Sequence, residues 1–205
     1  MRRTIPLLLL LCLLAACGRS TPTNYYLLES SLGLVAAQGL PRTSLRLAPV
    51  SLPAYLDRTG IVSRVEGQNR LIIAEFHAWA EPLGQGIARV LQAGLSPSLL
   101  TSGIDVLPVD ADGGGDYVLL VEIQRLDGKL AGTAVLEARW TLQDRSGMIL
   151  GRGIHTAQEP ITGNAAPASE AEATQSYDLL VQAQSRLVRD MAIALAPRLT
   201  PLMKE

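Results

Sequence analysis

Length, charge and cysteine usage set the first limits on this chain. Its 205 residues are enough for a single domain with a substantial hydrophobic core. The formal net charge of −1, from 18 basic and 19 acidic side chains, gives no electrostatic reason to expect a nucleic-acid partner. Both cysteines, Cys12 and Cys17, lie near the N-terminus, so the rest of the chain offers neither a disulfide nor a catalytic thiol.

The N-terminal segment is typical of a bacterial signal peptide. Arg2 and Arg3 are positive, and residues 5–14 form an apolar run that is shorter than the ~20 residues needed to span a membrane. Leu14-Ala15-Ala16-Cys17 then resembles the lipobox of bacterial lipoproteins. The resemblance implies that the Cys17 thiol is lipidated and that the chain is cut before it. The alternatives are an ordinary secretory signal, in which Cys17 has no role, and a cytosolic protein with an apolar start.

A short tether follows the cysteine. Gly18 to Asn24 is small or polar, which predicts a linker that reaches at most ~25 Å. Gly18 stands where enterobacterial lipoproteins retained at the inner membrane usually carry aspartate. By this resemblance we expect the periplasmic face of the outer membrane, with the inner membrane as the alternative. We therefore divide the chain into a signal peptide (1–16), a lipidated tether (17–24) and one folded domain (25–205).

The sequence of the first half of the domain predicts four strands and one helix. The strands are expected at residues 25–28, 45–50, 61–65 and 70–75, with a helical turn at 55–58 and a hairpin across 66–69. Pro82 suits the first turn of a helix, where its missing N–H costs nothing. From Leu83 to Leu99 apolar residues recur at steps of three and four, so the helix should end near Leu100, before Gly103.

A strand meander and a second helix are predicted after residues 113–116. The strands are expected at 117–126, 130–143 and 148–156, joined by turns at Asp127-Gly128 and Ser146-Gly147. Ala134, Leu136, Ala138, Trp140 and Leu142 should share the buried face of the middle strand.

The last part of the chain predicts a loop over residues 160–168 and then a long helix. Ser169 and Glu172 have the spacing of a capping box, and an apolar face from Tyr177 to Leu195 should end at Pro197. The order of the elements predicts an α/β fold: a mixed β-sheet with two principal helices packed on it, in a single domain behind the lipobox signal peptide.

Three segments, taken together, resemble a known family. They are Asn24-Tyr25-Tyr26-Leu27-Leu28 after the tether, the run LPAYLDRTGIV at residues 52–62, and Trp79-Ala80-Glu81-Pro82-Leu83 at the start of the first helix. In these segments the chain resembles the ABC-type transport auxiliary lipoproteins, the PqiC-like family that accompanies MCE-domain lipid transport systems. The resemblance implies an α/β domain without catalytic activity, which works beside a permease, an ATPase and an MCE protein.

Two functional hypotheses follow from the anchor and the resemblance. The first is a non-enzymatic outer-membrane lipoprotein that docks the periplasmic MCE component of an ABC-type lipid transporter and needs no cofactor. The alternative is a periplasmic lipid-binding carrier or an envelope assembly chaperone, which would need an apolar pocket. An envelope hydrolase is disfavoured, because the chain has two histidines and no Gly-x-Ser-x-Gly motif. Whether the protein forms a homo-oligomer is left open.

Tyr55 and Trp79 are the candidate partner-binding residues. Interface cores are enriched in aromatic side chains, and this chain has only two Trp, five Tyr and one Phe. Packing in the protein core is the alternative, above all for Trp79. Glu75, His77 and Glu81 could be considered as metal ligands, but zinc sites usually need three or four ligands, so no metal site is predicted.

Overall fold

The computed structural model describes residues 21–30, 41, 43–65, 67, 69–108 and 114–203. The signal peptide and Cys17 lie outside the described residues, as does most of the segment between residues 30 and 43. No helix in the described part of the chain is long and apolar enough to cross a membrane.

The described residues form eight strands and two helices. In chain order they are β1 (Asn24–Tyr26), β2 (Thr43–Leu47), β3 (Gly60–Arg64), β4 (Leu71–Trp79), α1 (Leu83–Thr101), β5 (Ile104–Val106), β6 (Tyr117–Gly128), β7 (Ala131–Asp144), β8 (Ile149–Thr162) and α2 (Glu170–Leu202).

The strands are divided between two mixed sheets. The smaller sheet has the order β1-β4-β3, with β1 parallel and β3 antiparallel to the central strand β4. The larger sheet has the order β5-β2-β6-β7-β8, in which β2 is parallel to both of its neighbours and β6, β7 and β8 form an antiparallel meander. The predicted α/β class, with two principal helices, is confirmed, and the strands form two sheets instead of one.

Both helices bury the apolar faces that their sequences predict. Helix α1 buries a stripe of Leu83, Ile87, Val90, Leu91, Leu95 and Leu99, and α2 buries one that runs from Tyr177 to Leu199. The predicted inner face of β7, from Ala134 to Leu142, is buried as well. Each fully buried leucine contributes ~1.5–3 kcal/mol to the stability of the fold. These three faces together contain more than half of the buried hydrophobic residues of the core.

The long helix α2 begins where the sequence predicts but extends further. The Ser169 hydroxyl accepts a hydrogen bond from the backbone N–H of Glu172 at 3.3 Å, as a capping residue does. The Glu172 carboxylate reaches back to the N–H of Ala168 at 3.0 Å, one residue beyond the position in a capping box.

The predicted end of α2 at Pro197 is wrong, because the helix continues to Leu202. A proline at this position removes the hydrogen bond to the carbonyl of Ile193, a residue that is exposed to water. Leu195 and Leu199, on either side of Pro197, are fully buried, so their packing outweighs the lost bond.

Other parts of the chain also differ from the prediction: β1, β2 and β4 cover residues 24–26, 43–47 and 71–79 instead of 25–28, 45–50 and 70–75. Strand β6 runs through Asp127-Gly128, so the turn falls at residues 129–130. Strand β8 extends to Thr162 and contains Pro160, which is tolerated because β8 is an edge strand. The short strand β5 was not predicted, since three residues carry too little periodicity to be recognised.

Candidate functional site

Tyr55 belongs to a cluster of polar side chains that joins the two sheets. It stands on the single helical turn after Pro53, whose carbonyl accepts the N–H of Leu56 at 2.9 Å. The Tyr55 hydroxyl donates to Oδ2 of Asp127 at 3.0 Å. Asp127 is fully buried near the end of β6, on the larger sheet. The predicted partner-binding residue thus has its hydroxyl engaged inside the protein.

Two arginines complete the surroundings of Asp127. Arg64, from β3 of the smaller sheet, donates Nε to Oδ1 at 2.9 Å and Nη2 to Oδ2 at 2.8 Å, a two-bond contact. Arg125 donates Nε to Oδ1 at 3.1 Å and lies 3.8 Å from the carboxylate of Glu137. The buried carboxylate therefore accepts four hydrogen bonds from three residues, which come from three different segments.

The electrostatics of this cluster keep Asp127 charged and Tyr55 neutral. Burial by itself opposes a charge on Asp127, but the hydrogen bonds and positive charges of Arg64 and Arg125 outweigh it and hold the pKa of Asp127 below its ordinary value. Burial, followed by the negative charge of Asp127, raises the pKa of Tyr55 to about 12. The cluster is a stable link between the sheets, with no group poised to exchange a proton near neutral pH.

Trp79 and His77 lie at the end of β4 and are both buried. Only 7% of the Trp79 surface is exposed, and the side chain belongs to the hydrophobic core. This burial favours the core-packing alternative for Trp79 over a partner contact. Nδ1 of His77 lies 2.8 Å from the Tyr26 hydroxyl, and its ring stacks on Tyr177 at a centroid distance of 4.2 Å.

The structure does not bring the three residues considered as metal ligands together. Burial lowers the pKa of His77, which favours the neutral ring, while Glu75 is exposed on the same strand. Glu81 is bound to Arg89 at 2.6 Å. Among the described residues, no group of three or more His, Cys, Asp and Glu side chains could hold a metal ion.

An apolar groove of 730 Å³ lies between residues 49–52 and the first turns of α1. Its apolar lining consists of Pro49, Val50, Leu52, Pro82, Gly84, Ala88 and Pro108. Its polar lining consists of Asp57, Glu81, Gln85, Arg89 and Gln92. We call this feature the α1 groove.

Glycine allows the two walls of the α1 groove to approach each other closely. A Cβ atom on Gly84 would lie 3.3 Å from the carbonyl oxygen of Val50, and one on Gly86 would lie 3.0 Å from the Glu81 carboxylate. A larger residue at position 84 would push α1 away from the opposite wall, and one at position 86 would displace the Glu81 side chain. The distance between the walls thus depends on Gly84, which the apolar periodicity of α1 does not single out.

Arg89 is the cation of the α1 groove, and its charge is already paired. Its Nη2 donates to the Glu81 carboxylate at 2.6 Å and to the carbonyl of Leu28 at 2.9 Å. Among the described lining residues, no other side chain is basic, whereas Asp57 is acidic. The groove is therefore suited to apolar side chains more than to an anionic headgroup.

The α1 groove is bordered by two of the segments noted in the sequence. Leu52 and Asp57 come from the run at residues 52–62, and Glu81 and Pro82 come from the segment before α1. Sequence reasoning proposed the aromatic residues of these segments, Tyr55 and Trp79, whereas the structure places their neighbours at the groove. The polar cluster around Asp127 was missed, because Arg64 and Asp127 are 63 positions apart and Asp127-Gly128 has the pattern of a turn.

The architecture defines a two-sheet α/β domain with a groove beside its first helix. The chain belongs to the family of ABC-type transport auxiliary lipoprotein components, whose sequence model matches residues 26–196. The predicted family is thus confirmed.

The chain is also similar to two curated proteins that are named as intermembrane transport lipoproteins. The chain is 28% identical over 129 residues to the intermembrane transport lipoprotein PqiC of Escherichia coli (strain K12). The alignment covers 62% of this chain and 66% of that relative, slightly less than two thirds of its length. PqiC of Shigella flexneri matches with the same identity and coverage.

Solved structures share the fold. A protein from Xanthomonas campestris superimposes with a TM-score of 0.64 at 14% identity, covering 89% of this chain and 97% of the other. A second crystal structure, of an uncharacterized protein, gives a TM-score of 0.67 at 21% identity, with coverages of 87% and 99%. The two-sheet architecture is therefore found in other proteins of similar length.

Proposed function

We propose that this lipoprotein is anchored through Cys17 to the outer membrane, where it docks the periplasmic MCE component of an ABC-type lipid transporter. The observation that carries the proposal is the α1 groove, which is apolar and lies between two of the segments that resemble the family. The relative PqiC, named for intermembrane transport, supports a role between two membranes.

The groove has the size and chemistry of a site for a few apolar side chains. Its volume of 730 Å³ lies within the range of ~300–1,000 Å³ that is usual for binding pockets. Gln85 and Gln92 are uncharged, and Arg89 and Glu81 neutralise each other. A partner segment that inserts apolar side chains beside these four residues would leave no unpaired charge buried there, whereas the exposed Asp57 would have to stay hydrated.

The lipid anchor strengthens a weak docking contact. The structure places Asn24 in β1, so the tether proper ends at residue 23, and the chain from Cys17 to Asn24 keeps the domain within ~25 Å of the membrane. Confinement near the membrane raises the effective concentration of the domain for a partner that reaches the same surface. A small groove is then sufficient for stable assembly.

Site-specific photo-crosslinking tests the docking site. A photoreactive residue at Gln85, which is exposed in the α1 groove, should crosslink to the cognate MCE protein in intact cells. The matched control is the same residue at Gln158, which is exposed on β8 and lies outside the groove. Crosslinking from Gln158 and not from Gln85 would place the docking surface elsewhere, and no MCE adduct from either site would count against docking altogether.

A lipid carrier is the second candidate, because the same groove is lined by apolar residues. Native mass spectrometry of the purified protein distinguishes the two functions. A carrier would show a co-purified lipid that is lost when Gln85→Trp fills the groove. A docking protein would show only the mass of the chain and its covalent anchor.

A further inference from the structure

The first strand of the domain has two chemically different sides. Tyr26 and Leu28 are buried in the core, whereas the alternate residues Tyr25 and Leu27 are 70% and 48% exposed. A strand that starts a folded domain has no need of two large apolar side chains in water. Their exposure is informative because they follow the tether directly.

Two further apolar side chains lie on the neighbouring strand. Asn24 pairs with His77, and β1 runs parallel to β4, so the residues of β4 before His77 extend toward the side from which the tether enters. Ile72 and Ile73, both about half exposed, belong to this extension. Among the described residues, Tyr25, Leu27, Ile72 and Ile73 are four of the nine exposed large apolar side chains. Ile72 and Ile73 are consecutive residues of β4 and point to opposite sides of the sheet, so these four side chains border the end of the sheet where the tether enters without sharing one face. We call these four residues the anchor-side surface.

Hydrogen bonds to α2 fix the position of the first segment. Asn24 Nδ2 donates to Thr174 Oγ1 at 3.3 Å, and the N–H of Glu29 donates to Ser185 Oγ at 3.1 Å. The segment therefore lies along the first half of α2. These bonds prevent it from turning Tyr25 and Leu27 toward the core. Tyr25 and Leu27 are held on the outside of the domain, next to the point where the tether ends.

The tether limits the distance between this surface and the lipid on Cys17. Seven residues reach at most ~25 Å when fully extended, and a flexible chain of that length spans ~15 Å on average. Since Tyr25 comes directly after Asn24, it is confined to the same short range. The surface nearest to Tyr25 is then the membrane that holds the anchor.

The residues suit the membrane–water boundary. Tyrosine is enriched at this boundary, because its ring is apolar and its hydroxyl is polar, and Leu and Ile add apolar area. Beside Tyr25 and Leu27, Arg186 is paired with Glu159 at 2.7 Å and Arg189 with Asp190 at 3.4 Å. Glu29 and Asp178 add negative charge there, and Arg70, two residues before Ile72, is an exposed cation. Contact with lipid would therefore depend on apolar insertion more than on attraction to anionic headgroups.

We propose that the anchor-side surface contacts the headgroup region of the membrane that carries the Cys17 lipid and so orients the domain on that membrane. The inference rests on the proposed lipid anchor. It assigns the lipid surface, and not a protein, as the occupant of Tyr25, Leu27, Ile72 and Ile73. The α1 groove is left free for the docking partner.

Fluorescence quenching by brominated lipid tests the contact. The lipidated variant Tyr25→Trp is reconstituted in vesicles of phosphatidylethanolamine and phosphatidylglycerol, with or without a bromine-labelled phosphatidylcholine. The native Trp79 and Trp140 are buried and supply the background, which is measured on the parent protein. The matched control is Met148→Trp, at an exposed residue of the β7–β8 turn. This turn lies near the end of α2, ~40 Å along the helix from Thr174.

Brominated lipid should lower the emission of the indole introduced by Tyr25→Trp about twofold relative to that introduced by Met148→Trp. Adding Leu27→Ser should weaken this quenching, and raising the salt concentration should not. Equal quenching of the two variants, on vesicles that carry the protein, would overturn this inference but not the lipid anchor. A chain that does not float with the vesicles would overturn the lipid anchor, and the inference with it.

Discussion

Removing the charge of Asp127 should destabilise the domain by a measurable and predictable amount. Asp127→Asn keeps the shape of the side chain but leaves Arg64 without a carboxylate partner and Arg125 with only Glu137, 3.8 Å away. Breaking a buried ion pair costs ~3–5 kcal/mol. The Arg64 and Arg125 side chains are 25% and 30% exposed and recover some hydration, so we expect the lower end, ~3 kcal/mol. That is a large part of the ~5–15 kcal/mol that keeps a domain folded.

Equilibrium unfolding in urea, followed by circular dichroism, measures this loss. The slope of the free energy against urea concentration should stay the same while the midpoint falls, because the surface exposed on unfolding does not change. The matched control is Glu137→Gln, which removes a carboxylate that is 41% exposed and 3.8 Å from Arg125. Its cost should stay below ~0.5 kcal/mol. An Asp127→Asn protein as stable as the Glu137→Gln control would refute the reasoning.

The pH dependence of unfolding provides an independent check on Asp127. Its pKa is held below the ordinary value of 3.8, so the folded state favours the charged carboxylate. The stability from Asp127 is therefore fully present above that ordinary value and is lost as the pH falls through the lower, folded-state pKa. The difference in unfolding free energy between the parent and Asp127→Asn should shrink in acid. A difference that stays constant with pH would mean that charge is not its cause.

Three further predictions concern the anchor, the second helix and the buried histidine. Cys17→Ser should leave an unlipidated, uncleaved precursor, which intact-mass spectrometry detects; a normally processed chain would contradict the anchor. Ser169→Ala should lower the unfolding free energy by ~1 kcal/mol through loss of the helix cap, whereas Ser146→Ala, in an exposed turn, should cost less. Because burial lowers the pKa of His77 from 6.5, the parent should lose stability as the pH falls below 6.5; His77→Gln should weaken this dependence, to which His155 also contributes, and an unchanged pH profile would contradict the prediction.

The elements that the sequence determines are those whose signal is local. The stripe of α1 and the alternation along β7 are confirmed residue by residue, because a helix or strand places side chains at a fixed spacing that the sequence shows directly. Ser169 begins α2 for the same reason, since its cap requires only a backbone N–H three residues ahead. The family also follows from short segments that can be compared without the fold.

Tertiary structure decided what depends on contacts between distant segments. Asp127 has the pattern of a turn residue, yet Arg64 and Tyr55 bury it as the link between two sheets. Pro197 has the pattern of a helix end, yet the packing of Leu195 and Leu199 carries the helix past it. In each case a local conformational preference of a few kcal/mol competes with long-range packing or ion pairing of similar energy. The sequence around the residue shows the local preference but not the distant contacts.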